Sequence, residues 1–259
     1  MHSHSKRIEA LDAIRGVAII AMVVDHCLYD LDQIFGVPIP LLHTTFFEIF
    51  RQPFTWAFIL LAGVSSRFSH SNWVRGFRVL ACGLVLSVVT FIYTWFTHDN
   101  ESIYFGILHF MGCAILLFAL LRPAFEKIPP IAAFIIWSAL FTVTFTMPDT
   151  YFVGIPPHFG FLLPKALTNT PNLYPIGIPD ANFFSADYFP MIPWFFLFMA
   201  GTVIGKPIKE HKLPEKFYTA KVPFWAIAGR HTLLIYVVHQ PIVYAALYLI
   251  FDVILKHHG

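Results

Sequence analysis

The sequence predicts an all-α fold: a polytopic membrane helical bundle of about seven transmembrane helices, forming one integral membrane domain over residues 1–259. Three observations predict it. Only 12% of the residues are charged and 57% are hydrophobic, with a mean hydropathy of +0.67, whereas a soluble domain carries about 25% charged residues. The chain holds 29 Phe, 10 Tyr and 6 Trp, more than one soluble core uses but suited to lipid-facing helices with aromatic belts at the interfaces. Apolar stretches also recur at the roughly 20-residue length that a spanning helix needs.

Taken in order, the spans run near residues 14–31, 48–66, 77–97, 103–121, 129–147, 188–205 and 231–251. The second has a short apolar stretch, residues 53–64, which the Phe- and Ile-rich sequence before it lengthens. A cytoplasmic N-terminus puts Lys6, Arg7, Arg67, Arg75, Arg78, Arg122, Lys127, Lys206, Lys209, Lys212, Lys216 and Lys221 inside, and leaves only Arg51, Lys165 and Lys256 outside. That is the positive-inside pattern, and it places the C-terminus on the extracytoplasmic side of the cell membrane.

Residues 148–187 then form an extracytoplasmic segment rich in Pro, Phe and Asn, carrying Asp149, Asp180 and Asp187. Its aromatics, among them Tyr151, Phe159, Tyr174 and Phe183, predict a packed lid without evident regular structure, the kind of long segment that usually serves function. The polar start is followed by no small-residue cleavage site, so no removable signal peptide is expected. Cys27, Cys82 and Cys113 are odd in number and lie inside apolar runs, which supports packing roles rather than a disulfide framework or a metal site. No metal is expected. A formal charge of +2 argues against a nucleic-acid partner, and the internal repeat of many secondary transporters is absent.

An ionisable side chain inside a span costs roughly 2.5–3.5 kcal/mol on insertion scales and reads as a functional site. The first span is densest. Asp12 and Arg15 are three residues apart and His26 follows Arg15 by eleven, a separation that returns to within roughly 20° and covers about 16 Å of helix. Asp12, Arg15, Met22 and His26 therefore share a face. The plainer reading has Arg15 paired with Asp12 at the cytoplasmic interface and His26 bonded to a neighbouring helix. Its weakness is that His43, His109 and His239 also lie in or beside apolar segments, and four imidazoles together suggest a polar cavity. Glu48 and Arg51 are spaced to pair. Tyr236 and His239 share a face, with Arg230 and His231 at the cytoplasmic end of their helix.

Leu11-Asp12, Arg15 and His26 resemble the first-helix motif of membrane acyltransferases of the acyltransferase-3 type. Five stretches in the same order resemble the catalytic domain of heparan-alpha-glucosaminide N-acetyltransferase and its bacterial relatives. They are Arg7-Ile-Glu-Ala-Leu-Asp-Ala-Ile-Arg-Gly16, Phe58-Ile-Leu-Leu-Ala-Gly-Val-Ser65, Phe105-Gly-Ile-Leu-His109, Asp187-Tyr-Phe-Pro-Met-Ile-Pro-Trp194 and Gly229-Arg-His-Thr-Leu-Leu-Ile-Tyr-Val-Val-His-Gln-Pro241. The resemblance implies an acetyl-CoA-dependent transferase that acetylates a hydroxyl or amine of a carbohydrate or glycolipid across the bilayer, and it is compatible with a homodimer. Under it Arg15 and His26 map onto the acyltransferase-3 pair, while the heparan enzymes carry their catalytic histidine before the second span, where His43 is the nearest match.

Acyl transfer needs a base for the acceptor proton and donors for the oxyanion. The candidates are His26 as base, His239 or His109 assisting, and His43 as the family alternative. Arg15 with Asp12, and the basic Arg75, Arg78 and Arg230, are the candidates for holding the donor. Direct transfer is preferred to an acetyl-histidine route because nothing marks a second step. A transporter or flippase with an intramembrane His/Arg relay is the alternative reading, and a bis-histidine haem or quinone protein a further one.

Overall fold

A computed structural model describes residues 7–98, 100–157 and 159–251. Lys6 and Lys256, which enter the charge pattern, lie outside them, as does the C-terminus. The described chain is mostly helical, in the order α1 (Glu9–Gln33), α2 (Thr45–Ser66), α3 (Asn72–Thr97), α4 (Ile107–Phe125), α5 (Pro130–Thr144), α6 (Met147–Thr150), β1 (Phe152–Ile155), β2 (Phe159–Leu162), α7 (Lys165–Thr168), α8 (Met191–Lys209), α9 (Glu215–Thr219), α10 (Pro223–Arg230) and α11 (Thr232–Tyr248). Among the described residues five stretches, Asn72–Thr97, Ile107–Phe125, Pro130–Thr150, Met191–Lys209 and Thr232–Phe251, are long and apolar enough to cross a membrane. The first two expected spans are also long helices, but α1 carries Asp12, Arg15, Asp25, Asp30 and Asp32, and α2 carries Glu48 and Arg51.

Two boundaries move. The fourth helix begins at Ile107 rather than near residue 103, because the Asp187 carboxylate accepts from Ile107 N at 2.9 Å and so satisfies a free donor of the first turn. Phe105 meanwhile bridges Tyr188 in extended form, and α8 begins only after that bridge. The 148–187 segment is not irregular, and the fold is not purely helical: β1 and β2 pair antiparallel with Gly154 opposite Gly160. Both glycines hold positive φ, 145° and 156°, and a Cβ on Gly154 would lie 2.0 Å from the Phe159 carbonyl oxygen. Only glycine satisfies both the dihedral and the close approach.

The chain divides into two compact units, one built from the stretches up to Phe58 and from Leu213 onward, the other from Ile59–Lys212. In the first, α1 packs against α10 and α11. In the second, α3 packs on α4 and α5 on α8. Gly112 of α4 lets Leu80 of α3 come close, since a Cβ there would meet Leu80 N at 2.7 Å, the small-residue contact of membrane helix pairs.

Arg67, only 8% exposed, is the most demanding group of the second unit. It donates to the Thr202 carbonyl at 2.9 Å and to Glu126 at 2.7 Å, and lies 5.2 Å from the centre of the Phe118 ring. Arg122 also donates to Glu126 at 2.7 Å, and that bond, with the charge of Arg67, holds the Glu126 carboxyl below the ordinary carboxylate range. A lowered carboxyl contributes stability that is present above its unfolded value near 4.5 and lost as pH falls through the folded one. Glu126→Gln should lower stability by about 1–3 kcal/mol, the cost of a buried donor left without its charged partner, read as a lower Tm in detergent at pH 7. The gap should narrow below pH 4.

Candidate active site

Gly16 on α1 and Gly229 on α10 build one end of the first unit. A Cβ on Gly16 would sit 1.9 Å from the Trp225 carbonyl oxygen, and one on Gly229 would sit 1.7 Å from that of Asp12. The two backbones are therefore in contact, and the contact buries Asp12 to 1% exposure. Arg15 donates to Asp12 Oδ1 at 2.7 Å and to the Gly229 carbonyl at 3.3 Å. Arg7 approaches Asp12 Oδ2 at 2.9 Å and Arg230 at 3.6 Å, while Glu9 draws in Lys221 at 3.1 Å and Arg230 at 3.9 Å. Four cations thus meet two carboxylates here. The pairing of Arg15 with Asp12 is the plainer of the two sequence readings, but Arg15 keeps a buried Nε without a hydrogen bond, and the cluster retains an excess of positive charge.

Eleven residues along α1, about 16 Å at the helical rise, His26 meets α11. Its Nδ1 lies 2.8 Å from Nε2 of His239, with ring centroids 5.0 Å apart. His239 Nδ1 lies 2.7 Å from the Tyr236 carbonyl oxygen, which only accepts, so His239 must donate there. In its neutral form His239 then accepts at Nε2, His26 donates from Nδ1, and the lone pair of His26 is left on Nε2. His239 is buried and His26 half-buried. One turn further along α1, Asp30 accepts from Gln240 Nε2 at 2.9 Å through each carboxylate oxygen. Asp25 faces Arg51 at 3.9 Å, so Arg51 is drawn across to α1 rather than along α2 to Glu48.

The first unit thus brings together Asp12, Arg15 and Arg230 at one end of α1 and His26 with His239 at the other. His43, at the end of a 3-10 turn, Pro40–His43, is exposed and bonds Asp32 at 3.0 Å. His109 belongs to the second unit, where its Nδ1 accepts from Gly106 N at 3.2 Å and its Nε2 donates to Ser87 Oγ at 3.1 Å. Ser87 Oγ in turn donates to the Ile103 carbonyl at 2.6 Å. Both ring nitrogens of His109 are thereby spent on the start of α4. Arg75 and Arg78 also belong to the second unit: Arg75 reaches Ser66 Oγ at 3.4 Å and Arg78 is exposed on α3. Sequence reasoning missed Asp30 and Gln240, though an acid four residues after His26 in an apolar helix was a usable signal.

The family model described as heparan-alpha-glucosaminide N-acetyltransferase, catalytic, matches residues 7–241, almost all of the described chain. The chain belongs to this family. Membership in the heparan-alpha-glucosaminide N-acetyltransferase catalytic family implies a membrane-bound acetyltransferase, in keeping with five helices apolar enough to span. No curated protein and no solved structure matches the chain.

Proposed function

We propose that this protein moves an acetyl group from cytoplasmic acetyl-CoA to a hydroxyl or amine of an extracytoplasmic carbohydrate or glycolipid, and that it crosses a cell membrane seven times with its N-terminus inside. The observation that carries the reading is the His26–His239 pair, a hydrogen-bonded imidazole couple whose His26 shares α1 with Asp12 and Arg15 of the basic cluster. In this reading His26 Nε2 takes the acceptor proton as the acceptor oxygen or nitrogen attacks the acetyl carbonyl carbon. The tetrahedral oxyanion then collapses, the C–S bond breaks, and the thiolate of CoA leaves with the proton held by His26. His239, fixed by the Tyr236 carbonyl, orients the base and shares the charge that forms on it, as an orienting third group does in catalytic triads.

Arg15 and Arg230 hold the donor end, where cations outnumber carboxylates and a guanidinium fork grips phosphate oxygens in two places. The length of α1 between Arg15 and His26 suits an extended pantetheine arm, whose nucleotide would lie at the first end and thioester at the second. Arg75 and Arg78 contribute, at most, a basic cytoplasmic surface that attracts the nucleotide.

Arg15→Lys tests the donor half. Lys keeps the charge but loses the planar fork, so the donor KM should rise by about tenfold with kcat little changed, the signature of lost ground-state binding. An unchanged KM for acetyl-CoA would make Arg15 an interfacial partner of Asp12 and nothing more.

A further inference from the structure

We propose that Asp30, acting through the amide of Gln240, is the counter-charge for the proton taken up by the His26–His239 pair. The proposal rests on reading that pair as the proton acceptor. Asp30 is 1% exposed, and among the described residues no cation lies within ion-pair distance of it; both of its oxygens are met by the single Nε2 of Gln240. A carboxylate in that position is expensive unless a positive charge nearby compensates it. The same amide supplies the link. With Nε2 committed to Asp30, the Oε1 of Gln240 is buried without a hydrogen bond, while the side chain lies within reach of His26.

The arrangement is incomplete while His26 is neutral and complete when it is protonated. A neutral His26 has one N–H, and the geometry spends it on His239. An imidazolium has two, and once the deprotonated acceptor has bonded to the acetyl carbon the second is free to turn to Gln240 Oε1, which has no other partner. The carbonyl of the amide then points at a cation and its NH₂ at an anion, so the dipole of Gln240 is favourable at both ends. The proton arriving on His26 would neutralise the buried charge of Asp30 without moving onto it, and leave again with the departing thiolate. Asp30 is thus a positioning residue that acts through Gln240 and never touches substrate.

Other ionisable groups face the pair from each packed element. Asp25 on α1 and Arg51 on α2 face one another at 3.9 Å, and the charge of Arg51 also reaches His26. Tyr236 on α11 has its ring 5.6 Å from that of His239.

The test is a pH titration of the imidazole resonances of ¹⁵N-histidine-labelled protein in nanodiscs. In Asp30→Asn the pH midpoint of the His26–His239 pair should fall by about one unit, the lower range for loss of a nearby opposite charge. If the coupling runs through the amide, Asp30→Asn added to Gln240→Ala should shift the midpoint by less than Asp30→Asn does alone; an equal shift would mean that the carboxylate acts through space and not through Gln240. If Asp30→Asn does not fold, Gln240→Ala serves instead: with the amide link removed, the midpoint should fall. A folded Asp30→Asn with an unmoved midpoint, or an unmoved midpoint in Gln240→Ala, overturns the proposal. The titration is independent of turnover, so a protein that fails to transfer acetyl but shows the shift would remove the proposed function and leave this coupling standing.

Discussion

His26→Ala should lower acetyl transfer by at least about 10², the usual lower range for a positioned acid or base, while the protein still inserts and folds. The distinction matters because His26 also packs: its ring bonds His239 and occupies space between α1 and α11. A purely structural His26 would produce the reverse pattern, retained turnover with an altered Tm, since His is costly in an apolar span and Ala is not. His239→Ala should cost less, because it removes the orienting partner but leaves the lone pair of His26 in place. Steady-state kcat with labelled acetyl-CoA, alongside Tm in detergent, separates the two roles. A His43→Ala variant with no turnover, set against near-normal His26→Ala, would move the base to the turn before α2.

The largest structural effect is expected at Gly229. Gly229→Val should cost about 3 kcal/mol or more, at or beyond the upper range for overpacking, because the obstacle is backbone: the Asp12 carbonyl carbon lies 2.6 Å and Gly16 N 3.0 Å from where Cβ would stand. Neither can swing aside as a flexible side chain would. Separating α1 from α10 also breaks the Arg15 bond to the Gly229 carbonyl and uncovers Asp12. Gly36 is the internal control. It holds φ +68° but has nothing within 4 Å of a Cβ, so Gly36→Ala should cost only about 1 kcal/mol of backbone strain. Size-exclusion profiles and Tm values of the two variants measure the contrast, and equal losses would mean the α1–α10 contact is not the constraint described.

Much of the helical plan could be read from apolar length alone, and where it could not the cause is local chemistry. The fourth helix starts late because an acid eighty residues away, Asp187, supplies its first acceptor. The hairpin was hidden because Phe152-Val-Gly-Ile and Phe159-Gly-Phe-Leu sit among prolines, and the facing of Gly154 with Gly160 appears only on pairing. In the site, Asp12, Arg15 and His26 could be placed on one helix by spacing, and Tyr236 with His239 on another. That His26 and His239 meet could not be read, since no local rule joins residues 213 apart. Arg51 went to Asp25 rather than Glu48 for the same reason: the i,i+3 rule describes an isolated helix, and tertiary neighbours compete with it.

If His26 is the base for direct transfer, acetyl passes from cytoplasmic acetyl-CoA to a sugar on the far side of the membrane only while that imidazole is present. Sealed inverted vesicles carrying the wild-type protein or His26→Ala, given labelled acetyl-CoA on the outer, formerly cytoplasmic face, test it directly. The account predicts protease-protected, glycan-linked label inside wild-type vesicles and at least about 10² less in the variant; equal label in both, or label confined to the face where the donor was added, would contradict it.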